Sequence, residues 1–293
     1  MMAGFADVPI IKLTFEEASD VLKIDMWTMA ADGPAETQNQ TVNTQPLMLC
    51  AGFATFRGWQ EKGGGDPACF AGHSLGEYTA LVASGALQFA DALSLVRLRA
   101  QAMQDAVPEG SGGIAAVLGL DVEQVRAICA DAAEGEVLEA VNLNSPTQVV
   151  IAGHRTAVER GMALAKARGA KRTLMLPMSV PSHCALMKPA AEKLAIALRG
   201  IGCNVPVIPV IQNADVSAFL SADNIKQALI EQLYRPVRWI ETIQAIALSG
   251  VTAVVECVPG KVLTGLNKRI DAALDCVAIS DTATLVAAVD STR

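Results

Sequence analysis

Ala68-Cys69-Phe70-Ala71-Gly72-His73-Ser74-Leu75-Gly76-Glu77 joins a short apolar run, a turn of small residues and the start of a helical pattern. The run 68–71 reads as a strand, and a helix is expected from Glu77 until Gly85 breaks it. A Gly-x-Ser-x-Gly sequence between strand and helix is the pattern of a nucleophile elbow. The chain must turn sharply there so that the Ser74 hydroxyl projects, and side chains at 72 and 76 would obstruct an incoming acyl group. The following helix aims its free N–H groups, that of Leu75 among them, where an oxyanion would form. A purely structural turn uses the same small residues, so the motif alone leaves both readings open.

Working outward toward the N-terminus, Thr14 and Glu17 have capping-box spacing, and Phe15, Ala18, Val21 and Leu22 follow at helical spacing. A helix is therefore expected to open near Thr14. A second is expected from Pro46 to Gln60, stopping at Gly63-Gly64-Gly65. Toward the C-terminus a helix over 90–106 leads to the loop Pro108-Glu109-Gly110-Ser111-Gly112-Gly113. From there the pattern predicts strand 114–118, helix 121–133, strands 137–143 and 147–152, helix 155–168 and strand 171–176. That βαββαβ order is the ferredoxin-like one. Pro177 and Pro181 bracket a return to longer elements. The expected organisation is an α/β domain in two parts, 1–107 and 179–293, with a small unit over 108–178 inserted between them.

Composition narrows the class. The chain has 293 residues, is 52% hydrophobic but only 4% aromatic, and carries a net charge of −7. No apolar stretch of membrane-spanning length is present, and the start lacks the pattern of a secretion signal. Seven scattered cysteines with no Cys-x-x-Cys pair read as reduced thiols of a cytoplasmic protein. The acidic balance argues against a nucleic-acid partner. Lys171-Arg172 and Lys268-Arg269 are open to two readings, a solvated surface or local docking points for an anionic partner.

A serine nucleophile needs a base, and the chain has three histidines. His73 adjoins Ser74, so its ring should point away from the hydroxyl. His154 opens a helix of the small unit, where a surface or capping role is expected. Elimination favours His183, in the loop Ser179-Val180-Pro181-Ser182-His183, with a packed loop histidine as the alternative. A working histidine also needs an acceptor on its second nitrogen. The helix ending Ile230-Glu231-Gln232-Leu233-Tyr234 stops before Pro236 and leaves carbonyls free for that purpose. On the helix 90–106, Arg97 falls on the polar side with Ser94, Gln101 and Gln104. Arg99 falls in the apolar stripe with Ala92, Leu95, Val96, Met103 and Ala106. An inward arginine needs a buried structural partner, or else it is a bidentate clamp for a substrate carboxylate.

These segments closely resemble the bacterial malonyl-CoA:acyl carrier protein transacylases. The resemblance is carried by Thr44-Gln45-Pro46, Gly72 through Tyr78, the Arg99 helix, Asn142-Leu143-Asn144-Ser145-Pro146 and Gln148 to Gly153. It continues through Val180 to Met187, Asn213, Gln232-Leu233-Tyr234 and Pro259-Gly260-Lys261-Val262-Leu263. It implies a hydrolase-like α/β core with a mostly parallel sheet and a ferredoxin-like insert. Ser74 would be the nucleophile, His183 the base and Gln232 the donor of its orienting carbonyl. Arg99 would bind the malonyl carboxylate, Leu75 would give an oxyanion N–H, and Gln45, Asn142 and Asn213 would line the substrate site. The implied reaction is ping-pong transfer of malonyl from malonyl-CoA to an acyl carrier protein for fatty acid synthesis, by a monomer needing no cofactor and no metal.

Two departures stand out. The family opens with a strand and a Gly-Gln-Gly-Ser-Gln loop that supplies a second oxyanion donor, and this sequence starts past that loop. An N-terminally shortened enzyme with one sheet edge open is therefore expected, and loss of one such donor costs about 100- to 1000-fold in rate. Val258 stands where the family has glycine, which sets that turn apart. Two rival readings are a serine hydrolase on the same Ser74 and a non-catalytic docking protein. The first expects a late histidine, whereas none follows His183; the second does not explain Ser74, Arg99 and His183 together.

Overall fold

Helix α1 (Pro9–Leu22) opens on proline, whose missing N–H is not needed in a first turn. The start expected near Thr14 is corrected here. Thr14 lies inside the helix, where its hydroxyl donates to the Ile10 carbonyl at 2.7 Å, and Glu17 pairs with Arg57 at 2.9 Å. The structure, a computed structural model, describes residues 2–177, 180–257 and 260–292. The turn around Val258 and the boundary expected at Met178 lie outside the described residues.

Short helices α2 (Met26–Asp32) and α3 (Ala35–Gln38) lead to α4 (Thr41–Glu61). That helix begins five residues ahead of Pro46, which sits inside it. Strand β1 (Phe70–Ala71) then runs into the elbow, followed by α5 (Gly76–Ala83) and α6 (Phe89–Gln104). Gly85 separates α5 from α6 with φ of 75°, a left-handed conformation that glycine adopts without a Cβ penalty. Phe15, Leu47, Leu49, Leu81 and Leu93 are fully buried between these helices, and each such side chain contributes about 1.5–3 kcal/mol by leaving water.

The small unit comprises β2 (Gly112–Leu118), α7 (Val122–Ala133), β3 (Leu138–Ser145), β4 (Gln148–His154), α8 (Arg155–Ala167) and β5 (Arg172–Met175). Asp121 and Gln124 form a capping box that starts α7. The strands pair in the order β3-β4-β2-β5, with every neighbour antiparallel. Val117, Val125, Ile128, Leu138, Ile151 and Val158 form a core under the two helices. The opposite face of the sheet buries Ile114, Val141 and Val150 against Cys184, the residue after His183.

The chain continues through α9 (Lys188–Leu198), β6 (Val210–Ile211), α10 (Ala222–Gln232), α11 (Trp239–Leu248), β7 (Ala253–Glu256), α12 (Val262–Ile270), β8 (Asp275–Ala278) and α13 (Thr282–Ser291). Parallel pairing joins β1 to β6 and β7 to β8. Among the described residues this parallel pairing falls in two two-stranded sheets, beside the antiparallel sheet of the small unit. The β1–β6 pair is short because β1 stops at the elbow glycine and β6 runs directly into Gln212 and Asn213. The small sheet is tied to the rest by a parallel bridge between Asn142 and Val237. Leu143 N–H donates to Val237 O, and Val237 N–H donates to Val141 O, each at 2.9 Å.

Candidate active site

The site lies beyond the carboxyl ends of β1 and β6, where parallel strands present loops and helix N-termini to a ligand. Ser74 adopts φ of 52°, a strained left-handed conformation for a serine. Gly72 has no alternative here, because a Cβ on it would lie 1.9 Å from the Gly76 carbonyl carbon and 2.5 Å from the Glu77 nitrogen. Gly76 is different: a Cβ there would meet nothing within 4 Å, so its side of the elbow is open. Turn bonds run from the N–H groups of Gly76, Glu77 and Tyr78 to the carbonyls of His73, Ser74 and Leu75. The Leu75 N–H, at the head of α5, stands outside that ladder.

Ser74 Oγ and His183 Nε2 are 2.8 Å apart, and His183 Nδ1 is 2.7 Å from the carbonyl oxygen of Gln232. A carbonyl only accepts, so the proton sits on Nδ1 and leaves Nε2 to accept from the serine. That carbonyl is free because α10 ends at Gln232. His183 is itself left-handed, with φ of 65°, and its N–H donates to Leu233 O at 2.9 Å. Burial, reinforced by the nearby Arg99 charge, pushes the imidazole pKa down to about 3. It is neutral, and therefore a competent acceptor, across the neutral pH range.

Arg99 is 1% exposed, as its place in the apolar stripe of α6 dictates, while Arg97 faces solvent. Its Nη1 donates to Gln45 Oε1 at 2.6 Å, and its Nη2 donates to Gln232 Oε1 at 3.0 Å and to Ser74 Oγ at 3.3 Å. The guanidinium carbon lies 5.4 Å from the Tyr78 ring centroid, a cation–π distance. Among the described residues no carboxylate forms an ion pair with Arg99, and every hydrogen-bond acceptor around it is neutral. The buried structural salt bridge that was one reading of this residue is not formed. Burial pushes its pKa below the ordinary arginine value.

The remaining residues divide. Gln45, from α4, reaches the site through Arg99. Asn213, two residues past β6, bonds to the elbow itself. Asn142 stands apart at the seam with Val237, and no hydrogen bond joins its side chain to Ser74, Arg99 or His183 among the described residues. Its neighbour Asn144 does connect: Asn144 Oδ1 accepts from His73 Nε2 at 2.8 Å, which turns that ring away from Ser74 and toward Trp239. His154 occupies the N-cap position of α8 but does not cap it; its Nδ1 accepts the Val137 N–H at 2.9 Å. Glu77 and Tyr78, both fully buried beside Arg99, were not singled out from sequence. A carboxylate in the first turn after the elbow, followed by Tyr78, Ala80 and Leu81, was the available signal.

His183 and Arg99 thus both reach the Ser74 hydroxyl, at 2.8 and 3.3 Å. The chain belongs to the acyl transferase domain family, whose model matches residues 16–286. It is 52% identical over 285 residues to the malonyl CoA-acyl carrier protein transacylase of Escherichia coli K12, covering 97% of this chain and 92% of that protein. The Bacillus subtilis protein of the same name is 41% identical over 290 residues, covering 99% and 91%. The crystal structure of the acyl-carrier-protein S-malonyltransferase from Burkholderia pseudomallei matches with a TM-score of 0.97 and 53% identity, covering 99% of this chain and 94% of that one. A malonyl-transacylase solved in complex with a type II polyketide synthase acyl-carrier protein matches with a TM-score of 0.95 and 52% identity, covering 97% and 92%.

Proposed function

We propose that this chain transfers a malonyl group from malonyl-CoA to the phosphopantetheine thiol of an acyl carrier protein, feeding fatty acid synthesis. The observation that carries the reading is the position of Ser74 Oγ, 2.8 Å from His183 Nε2 and 3.3 Å from the nearest nitrogen of Arg99, a buried cation whose hydrogen-bond acceptors are all neutral. Ser74 Oγ attacks the thioester carbonyl while His183 takes its proton. The Leu75 N–H, at the positive end of α5, stabilises the oxyanion. The carbon–sulfur bond breaks, coenzyme A leaves as the thiol with the proton from His183, and Ser74 holds malonyl as an ester. In the second half the carrier thiol gives its proton to His183 and attacks that ester, and Ser74 leaves reprotonated. Arg99 meets the malonyl carboxylate through charge-assisted hydrogen bonds, with Gln45 and Gln232 holding the guanidinium.

The fold reading that accompanies this is a hydrolase-like α/β core over 1–107 and 179–293, with a ferredoxin-like insert over 108–178. The β3-β4-β2-β5 strand order supports the insert, and the β1–elbow–α5 unit supports the core. Among the described residues no helix is long and apolar enough to cross a membrane, and the cysteines are free. A cytoplasmic location and a monomeric state complete the proposal. The test is intact-mass spectrometry after mixing with malonyl-CoA. One malonyl adduct is expected, lost in Ser74→Ala; an adduct that persists in that variant removes Ser74 from the reaction.

A further inference from the structure

Asn213 is one of the residues that the resemblance places against substrate, yet its polar groups are already committed. Its Oδ1 accepts the Ser74 N–H at 2.7 Å and its Nδ2 donates to the Gly72 carbonyl at 2.6 Å. Its own N–H donates to Glu77 Oε2 at 2.6 Å, and its carbonyl accepts the Arg238 N–H at 3.1 Å. Asn213 and Glu77 are both fully buried. The parallel register explains the meeting. Ala71 pairs with Ile211, so the residues just past each strand end run side by side, and the side-chain amide takes the place of the next peptide in the ladder. Gly72 O and Ser74 N–H, which leave the ladder at the turn, gain their partners from one planar group.

We infer that Asn213 is a positioning residue that clamps the nucleophile elbow in its left-handed conformation, and that Glu77 holds Asn213 in place for this. Glu77 belongs to the first turn of the helix that the elbow starts, so the clamp closes a ring through Gly72, Ser74, Glu77 and Asn213. The strained φ of Ser74 persists because its flanking groups are fixed on both sides. The inference deepens the serine-transfer reading and rests on Ser74 as nucleophile, but not on malonyl as the acyl group.

The test reads serine reactivity in two ways on the full chain. A fluorophosphonate probe forms a Ser74 oxygen–phosphorus bond with loss of fluoride, the proton passing to His183, and needs no malonyl recognition. Malonylation from malonyl-CoA is followed by quenched single turnover. Asn213→Ala should slow both by a similar factor of about 100-fold, the scale of an ångström-sized misplacement, with little change in KM for malonyl-CoA. Asn213→Asp, which keeps the shape and the acceptor for Ser74 but opposes oxygen to the Gly72 carbonyl, should also slow both and covers the case in which the alanine variant does not fold. Glu77→Leu should slow both, and Glu77→Gln, which retains an acceptor for the Asn213 N–H, should recover most of that loss. Unchanged probe labelling with a raised KM makes Asn213 a substrate contact and overturns the inference. Equal rates in Glu77→Leu and Glu77→Gln overturn the part assigned to Glu77. A wild type that reacts with the probe but never with malonyl-CoA would refute the malonyl reading alone, leaving the clamp to be judged by probe labelling.

Discussion

Gln232 serves Arg99 and His183 from opposite ends of one residue: its carbonyl oxygen is 2.7 Å from His183 Nδ1, and its side-chain Oε1 is 3.0 Å from Arg99 Nη2. Its Nε2 also donates to the Ser74 carbonyl at 2.9 Å. Orientation of the His183 ring is thus a main-chain property, whereas restraint of the Arg99 cation is a side-chain property, and substitution can separate them.

Gln232→Glu should place a carboxylate against Arg99 and satisfy the charge that the substrate acid would otherwise meet. KM for malonyl-CoA should rise about tenfold or more, equivalent to about 1.4 kcal/mol of lost binding. His183 keeps its carbonyl, so probe labelling of Ser74 should fall much less. Steady-state kinetics alongside labelling decides this; a loss confined to kcat would contradict it.

Arg99→Ala should lower kcat/KM for malonyl-CoA sharply while leaving transfer from acetyl-CoA unchanged or improved, since an uncharged acyl group leaves the buried cation without an anion. Lysine should restore only part of the preference, because it lacks the planar fork that bonds Gln45 and Gln232 together. The quantity to measure is the malonyl-to-acetyl ratio of kcat/KM. A constant ratio with both rates depressed would assign Arg99 a structural role.

His183→Ala should slow both half-reactions by about 100- to 10,000-fold. In the wild type, folded His183 protonates only near pH 3, whereas an unfolded histidine does so near 6.5. Between those values the unfolded chain binds the additional proton. The site's contribution to stability is therefore complete above about pH 6.5 and drains away as the pH falls toward 3. The rate profile of single-turnover acylation should show no His183 titration at pH 6–7, and a midpoint there that vanishes in a variant lacking His183 would disprove the depressed value.

Glu77 has the opposite sign. Burial raises its carboxyl to about 8 from an ordinary 4.5, so the folded chain binds more protons across that interval. Its stabilising contribution is full below about pH 4.5 and is lost as the pH rises through 8. Glu77→Gln stays neutral throughout, so its melting temperature should gain on the wild type from about pH 5 to 8 and level off above that, the His183 contribution being common to both. A difference that shrinks with rising pH would mean that Glu77 is a stable buried anion.

What the sequence disclosed follows from the range of the forces involved. The elbow, the α6 stripe that buries Arg99 and the helix end that frees the Gln232 carbonyl are local consequences of spacing, glycine and proline, and were legible. The start of α1 was misread because Thr14 and Glu17 imitate a capping box while Thr14 in fact bonds back to Ile10. The functions of Asn144 and Asn213 could not be read, since His73 and Asn144 are 71 positions apart and Ser74 and Asn213 are 139 apart. The same resemblance that named Asn142 and Asn213 as lining residues carried no account of which atoms were already spoken for.

The order of residues along the chain also sets when the serine can act. Ser74 meets His183 109 positions later, and the side chain that donates to its carbonyl lies 158 positions later. A nascent polypeptide that has emerged only as far as α6 carries the serine without histidine, orienting carbonyl or amide partner. On the proposed mechanism, Ser74 becomes reactive only once α10 has left the ribosome and docked.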